Sequence, residues 1–230
     1  GAPQEVALLG ADFFGFYDAE FDVQHGKIIL YKPVGCETTK LAYWPGPSSV
    51  ADMVSNTAHS NLAPLNSYNF PHINLRLTVG GRDMLAALDT GYRRSSLSLV
   101  AAHSLGLTVG GVGMAETDPT VDLLDGFSTE TWVGGVDSVA FGQEVIAPAK
   151  LAFRSFVVPA ASREPAVGTH VGHSRYNGDD MMLGADFLIA HRVFISQSQR
   201  KVYFSPAETV GFLGGIPKSA ALSSAASEAH

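Results

Sequence analysis

The segment Leu9-Gly10-Ala11-Asp12-Phe13-Phe14 returns near the other end of the chain as Leu183-Gly184-Ala185-Asp186-Phe187-Leu188. The residues after each copy also correspond. Asp22 to Pro33 (DVQHGKIILYKP) parallels Ile195 to Pro206 (ISQSQRKVYFSP), each reading as a strand, a polar turn and a strand that ends in proline. The offset is 174 between Gly10 and Gly184 and 173 between Pro33 and Pro206. A period this long means two copies of a domain rather than a solenoid. The second copy reads as whole, whereas only the tail of the first is seen. The offset sets Gly1 opposite the polar stretch from Ala161 to Asp180, which reads as an exposed loop. Exposed loops are where chains are cut, so Gly1 is read as a break inside a longer, two-lobed protein.

The chain of 230 residues is 46% apolar and 16% charged, a composition that folds. The 24 glycines and 12 prolines favour short strands and turns over long helices. With 15 basic against 22 acidic residues the net charge is −7, which argues against a nucleic-acid or anionic-membrane surface. The single cysteine, Cys36, excludes an intrachain disulfide framework and reads as a packed or incidental thiol. No apolar run approaches the roughly 18 residues of a membrane helix. The first residues show no basic stretch followed by an apolar one, so no signal peptide is read there.

Four stretches emerge from the repeat: 1–33 as the C-terminal part of a first lobe, 34–69 as a turn-rich linker, 70–206 as a complete lobe, and 207–230 as a low-complexity tail. Within the complete lobe, Ile73, Leu75, Leu77 and Val79 alternate with polar residues, the period of a half-buried strand. Gly80-Gly81 predicts a turn, and Met84 to Leu88 an apolar strand running into Asp89-Thr90-Gly91. Ser96 to Leu105 predicts a short amphipathic helix with Leu97, Val100, Ala101 and Leu105 on one side. Val136–Phe141 and Leu151–Val158 read as further strands.

Asp89 is delivered by an apolar strand into a turn, and carboxylates are seldom placed there without partners. The tripeptide alone is weak evidence. In context, with Leu85-Ala86-Ala87-Leu88 before it, Ala101-Ala102-His103-Ser104-Leu105-Gly106-Leu107 after it, and both Leu-Gly-Ala-Asp-Phe boxes, the chain resembles the retropepsin-like aspartic proteases. The likeness is greatest to bacterial aspartyl proteases with two lobes in one chain, over about residues 70–206 and the lobe tail at 7–33.

That resemblance implies a mainly β, retropepsin- or pepsin-like lobe with short helices, preceded by the C-terminal part of a homologous lobe. It implies an aspartic endopeptidase acting on an extended peptide or protein, with no cofactor and no metal, in an exported, periplasmic or membrane-anchored protein. Asp89 maps to the catalytic acid, Thr90 to a residue hydrogen-bonding across the lobe interface, and Gly91 to the glycine that lets backbone approach the carboxylate. Leu8-Leu9-Gly10 and Met182-Leu183-Gly184 map to structural elements packed behind the active-site loop, with Asp12 and Asp186 at the surface or capping helices. The glycine-rich Gly110-Gly111-Val112-Gly113-Met114 and the segment to Phe127 fall where relatives carry a flap.

Where the family has Ala or Ser after Asp-Thr-Gly, this chain has Tyr92, then Arg93-Arg94. The arginines either lower a carboxylate pKa by pointing inward or are solvated. His170, His173, Asp179 and Asp180 lie in a glycine-rich loop without a helix to fix metal-ligand spacing and read as solvated. A single Asp-Thr-Gly is half a dyad. The second acid comes from a complementary N-terminal lobe segment, about 85 residues before Gly1 by the offset, or from a homodimer partner across a two-fold axis. Without it the lobe is an inactive module that binds extended peptides or partners.

Overall fold

The computed structural model describes residues 14–54, 73–121, 128–156, 179–208 and 210–215. The Leu9-Gly10 box with Asp12, the two loop histidines and the tail from residue 216 lie outside them.

The fold is mainly β. The strands in chain order are β1 (Asp18–Asp22), β2 (Lys27–Tyr31), β3 (Ser49–Val54), β4 (Ile73–Val79), β5 (Arg82–Leu88), β6 (Ser96–Ser98) and β7 (Met114–Val121), followed by β8 (Ser128–Val136), β9 (Val139–Phe141), β10 (Glu144–Ile146), β11 (Ala149–Arg154), β12 (Met181–Leu183), β13 (His191–Ser196) and β14 (Lys201–Pro206). Two six-residue helices, α1 (Leu99–Ser104) and α2 (Ala185–Ala190), and a 3-10 turn at Val23–His25 complete the described elements. Neither helix is long and apolar enough to cross a membrane. The hydrogen-bonded order is β2-β1-β13-β14-β3-β4-β5-β12-β6-β11-β8-β7, with β9 and β10 branching from β4.

The sequence repeat becomes a local symmetry at β2-β1-β13-β14. Glu20 pairs with Phe194 in the antiparallel β1–β13 ladder, and 194 − 20 is 174, the repeat offset. A pseudo-two-fold axis therefore passes between two equivalent residues. Asp22 faces Lys27 across one hairpin and Ser196 faces Lys201 across the other, again 174 apart on each strand. The left-handed residues Gly26 (φ 64°) and Arg200 (φ 57°) occupy the same turn position. The offset is thus 174 throughout. The 173 read from the prolines arises because Pro206 closes β14 whereas Pro33 lies beyond β2.

One face of this four-stranded platform joins the main core. Val193, Ile195, Val202 and Phe204 pack with Phe141, Phe187 and Phe212. The other face carries Phe194 and Tyr203 under Ala42 and Trp44. Residues 36–47 cross it as a strap. Trp44 Nε1 donates to Ser205 Oγ at 2.7 Å, Ser205 Oγ donates to Pro47 O at 2.7 Å, and Gln199 Nε2 donates to Thr39 O at 2.8 Å and to Cys36 O. Beneath lies fully buried Glu20. Its Oε1 accepts from Arg192 Nε at 2.7 Å, and its Oε2 from Tyr31 and Tyr43 hydroxyls at 2.8 and 2.7 Å. Asp18 and Asp22 are buried on the same face. This alternation of acids in β1 is a polar period-2 signal that the apolar pattern had hidden.

Two sequence expectations are corrected. The segment 34–69 contributes β3, which pairs with β14 and β4 and so belongs to the sheet. Ser96–Ser98 is a strand rather than the first turn of a helix. It is held by β12 on one side and β11 on the other, so long-range pairing overrides the local helical period. The helix begins at Leu99 with Ser98 as its cap, Oγ accepting from Ala101 N–H at 3.0 Å. Its buried residues are Ala101 and Ala102, while Val100 is exposed. Gly110 to Gly113 precede β7 and lie at the root of the β7–β8 hairpin, where Met114 pairs with Gly134; residues 122–127, in the segment expected as a flap, lie outside the described residues.

Candidate active site

β5 delivers Asp89 as its apolar run ends at Leu88. β12 lies between β5, to which it is parallel, and β6, to which it is antiparallel. The chain thus leaves β5, turns through residues 89–95 and returns as β6 on the far side of β12. This places the turn directly over the end of β12, and backbone contacts clamp it there. Asp89 N–H donates to Leu183 O at 2.9 Å. The first amides of α2 take up the turn's carbonyls, Ala185 N–H donating to Tyr92 O at 2.8 Å and Asp186 N–H to Arg93 O at 3.2 Å. The approach is close enough to require glycine at 184, since a Cβ there would stand 2.7 Å from Arg94 C and Tyr92 O. Met182-Leu183-Gly184 therefore packs behind the turn.

Asp89 is half-buried, and its Oδ1 accepts from Gly91 N–H at 2.9 Å. Thr90 is exposed and Gly91 half-buried, so the three residues share one turn. A half-exposed carboxylate with one oxygen oriented by a backbone amide retains lone pairs for a second acid or a water.

Asp186 departs from its surface or capping expectation. Its carboxylate accepts from Ser95 N–H at 2.9 and 2.8 Å and from Ser95 Oγ–H at 2.6 Å, while Ser95 Oγ accepts from Gly184 N–H at 3.0 Å. It is a bracket that fixes the far end of the Asp89 turn. Burial pushes its pKa up, against the lowering effect of the Ser95 hydrogen bonds and of nearby Arg94. A cavity of about 570 Å³ opens beside it, lined by Arg94, Glu116, Lys150 and Gly214 among others. Asp89 is not part of that lining.

Arg93 and Arg94 are both exposed, and Arg94 at the same time acts on the Asp186 carboxylate, with a lowering effect on its pKa. Tyr92 does not stand free in a cleft: the Arg154 guanidinium lies 3.9 Å from its ring centroid. Arg154, at the end of β11, is 3% exposed and reaches back so that Nε donates to Ser96 Oγ at 2.9 Å. Sequence reading missed Arg154. The available signal was a cation closing the apolar run Leu151-Ala152-Phe153. Asp180 supports the neighbouring strands, its Oδ2 accepting from Leu85 N–H at 2.9 Å. Among the described residues no group of His, Cys, Asp and Glu could hold a metal ion. Cys36 is a free, half-buried thiol bonded to Val34 O.

No family model matches the chain, and no curated protein matches it. Among solved structures it is similar to a retropepsin-like aspartic protease from Rickettsia conorii. The two are 12% identical, with 69% of this chain and 89% of that one covered, at a TM-score of 0.41. Similarity that low assigns neither fold family nor activity.

Proposed function

We propose that the protein is an aspartic endopeptidase, or the C-terminal part of one, in which Asp89 supplies one carboxylate of a two-acid centre. The observation that carries the reading is the turn at 89–95: a half-buried acid at the end of an apolar strand, held in place from behind by Leu183, Gly184 and Asp186. This backing uses a glycine and a half-buried carboxylate, which a plain surface turn does not need. In this chemistry two carboxylates about 3 Å apart share one proton. The ionised one takes a proton from a water as it attacks the peptide carbonyl, and the protonated one hydrogen-bonds the carbonyl oxygen. Thr90 and Gly91 shape the turn around them.

The second acid belongs, in this proposal, to a complementary segment of a preceding homologous lobe. The pseudo-two-fold supports it. Val202 and Phe204 are fully buried, whereas their equivalents Ile28 and Leu30 are 59% and 38% exposed. β14 is paired on both edges, whereas its equivalent β2 pairs only with β1 among the described residues. An apolar edge strand left open in this way is a site for another strand. A homodimer bringing Asp89 to Asp89 is the other way to complete the dyad.

A second reading, a module that binds extended peptides without cutting them, is favoured by the bulk of Tyr92, three residues after the acid and stacked on Arg154. Cleavage of a peptide library by the protein with all its natural coding sequence, compared with its Asp89→Ala variant, separates the two. The peptidase reading expects a loss of at least about 100-fold, and equal cleavage by the variant would sink it.

A further inference from the structure

The outward face of β11, β8 and β7 is not built as a solvent face. Antiparallel strands with one face in water place apolar residues inward and polar ones outward. The inward positions here, Leu151, Phe153 and Trp132, do lie in or against the main core. The outward positions between them are Ala152, Val133 and Ala115, in register across the three strands, with Ser96 of β6 next in the row. All are short and three are apolar, so the row forms a trough. In the adjoining row Lys150 faces Gly135, which has no side chain to fill the space.

The cavity of about 570 Å³ beside Asp186 lies on this trough, with Ala152, Val133 and Ala115 in its lining. That volume is within the roughly 300–1,000 Å³ of small-molecule sites. Leu213 and Gly214 add a wall, tied to β11 where Lys150 N–H donates to Leu213 O at 2.8 Å. The charged residues of the lining are Arg94, Lys150, Glu116 and Asp186, and they are not equally available. The Asp186 carboxylate is engaged by the Ser95 amide and hydroxyl. Glu116 pairs with Trp132, which packs against the core, so its side chain leaves β7 on the face away from the trough. Lys150 leaves β11 on the same face as Ala152, and both it and Arg94 are exposed. The trough thus presents two cations against one engaged carboxylate.

We infer that this cavity binds a monocarboxylate with a short apolar body, its hydrocarbon on Ala152, Val133 and Ala115 and its carboxylate at Arg94 and Lys150. The net charge presented matches one negative charge. A dianion would meet Asp186 as well and would leave the apolar floor unused, whereas a neutral apolar body would leave both cations without a counter-charge. The site goes beyond the peptidase reading and does not depend on it, since Asp89 is not part of the lining.

The test is binding of octanoate and of its uncharged counterpart octanamide, followed by calorimetry and by amide chemical shifts. Octanoate is expected to bind saturably and about fivefold more tightly than octanamide, the scale that two solvent-facing charge contacts supply. Its shifts should centre on the cavity strands and on residues 94–95 and 213–214. Arg94→Gln combined with Lys150→Gln should bring octanoate down to the affinity of octanamide and leave octanamide unchanged. Both positions are exposed, so the melting temperature should stay near that of the parent. Ala115→Phe, at an exposed position of a strand paired on one edge among the described residues, places a ring on the floor and should weaken both ligands. The inference is overturned if neither probe binds, if the two bind the parent equally, or if the shifts centre elsewhere. It is equally overturned if the octanoate preference survives in the double variant, or if Ala115→Phe binds both probes as the parent does.

Discussion

Arg200 stands, at φ 57°, in the left-handed turn position that Gly26 fills at φ 64° in the equivalent hairpin. An L side chain there costs roughly 1–2 kcal/mol that glycine avoids, less the backbone entropy that glycine loses on folding. The one interaction that must survive is the Arg200 carbonyl accepting from Met53 N–H at 2.8 Å, and glycine retains it. Arg200→Gly is therefore expected to stabilise the protein by about 0.5–1 kcal/mol, a rise in melting temperature of roughly 1–4 °C for a chain of this size. A lowered melting temperature would mean that the arginine side chain contributes more than its backbone costs.

The Tyr31 hydroxyl is held neutral by its setting. Burial, then the hydrogen bonds with Tyr43 and Glu20, raise its pKa above the usual value near 10. Stability derived from a raised pKa is fully present below the unfolded value and is lost as pH climbs through the folded one. Unfolding by denaturant should show a decline in stability beginning near pH 10, and Tyr31→Phe should flatten it. At neutral pH the same variant should cost about 1–2 kcal/mol, because Glu20 loses a donor to its charged form.

Asp186 obeys the same sign by a different route. Its raised pKa means that the proton is bound more tightly in the folded protein, so its contribution grows as pH falls and is lost as pH rises. Asp186→Asn keeps an acceptor for Ser95 and removes the desolvated charge, so its stability at pH 7 should equal or exceed that of the parent. The difference should move in favour of the parent on acidification towards pH 4. Asp186→Ala strands the buried Ser95 N–H and hydroxyl and should cost about 1–3 kcal/mol. Parallel pH–stability curves for the parent and the Asn variant would refute this assignment.

Gly184 tests whether the Asp89 turn depends on its backing. A methyl group at that position meets backbone rather than a yielding side chain, so Gly184→Ala should destabilise by about 1–3 kcal/mol. Amide exchange should show the loss concentrated at residues 89–95, whereas a uniform loss would show that the turn moves freely of β12.

What the sequence disclosed depended on the range of the forces involved. β4 was readable because Leu75, Leu77 and Val79 face one core in strict alternation, and the glycine pair after it accepts the turn's positive φ values of 54° and 78°. Asp89 at the end of β5 was readable for the same local reason. Ser96–Ser98 was not, because its strand state is imposed by neighbours at Met182 and Ala152, far along the chain. Asp186 was misread because its partner Ser95 is 91 residues away. Arg154 was invisible because a lone cation closing a strand looks the same whether it is solvated or sealed under two rings.

The register of β8 carries a mechanical consequence. Its residues Thr131 to Gly134 pair with β7 on one edge and with β11 on the other, so the base of the β7–β8 hairpin is held inside the sheet. Beyond Thr131 β7 is the one strand paired with it among the described residues, and that outer part of β8, Ser128 to Glu130, spans roughly 10 Å at about 3.3 Å per residue. Bending is thereby confined to the outer end of the hairpin, with its fulcrum at Thr131 instead of at the glycines.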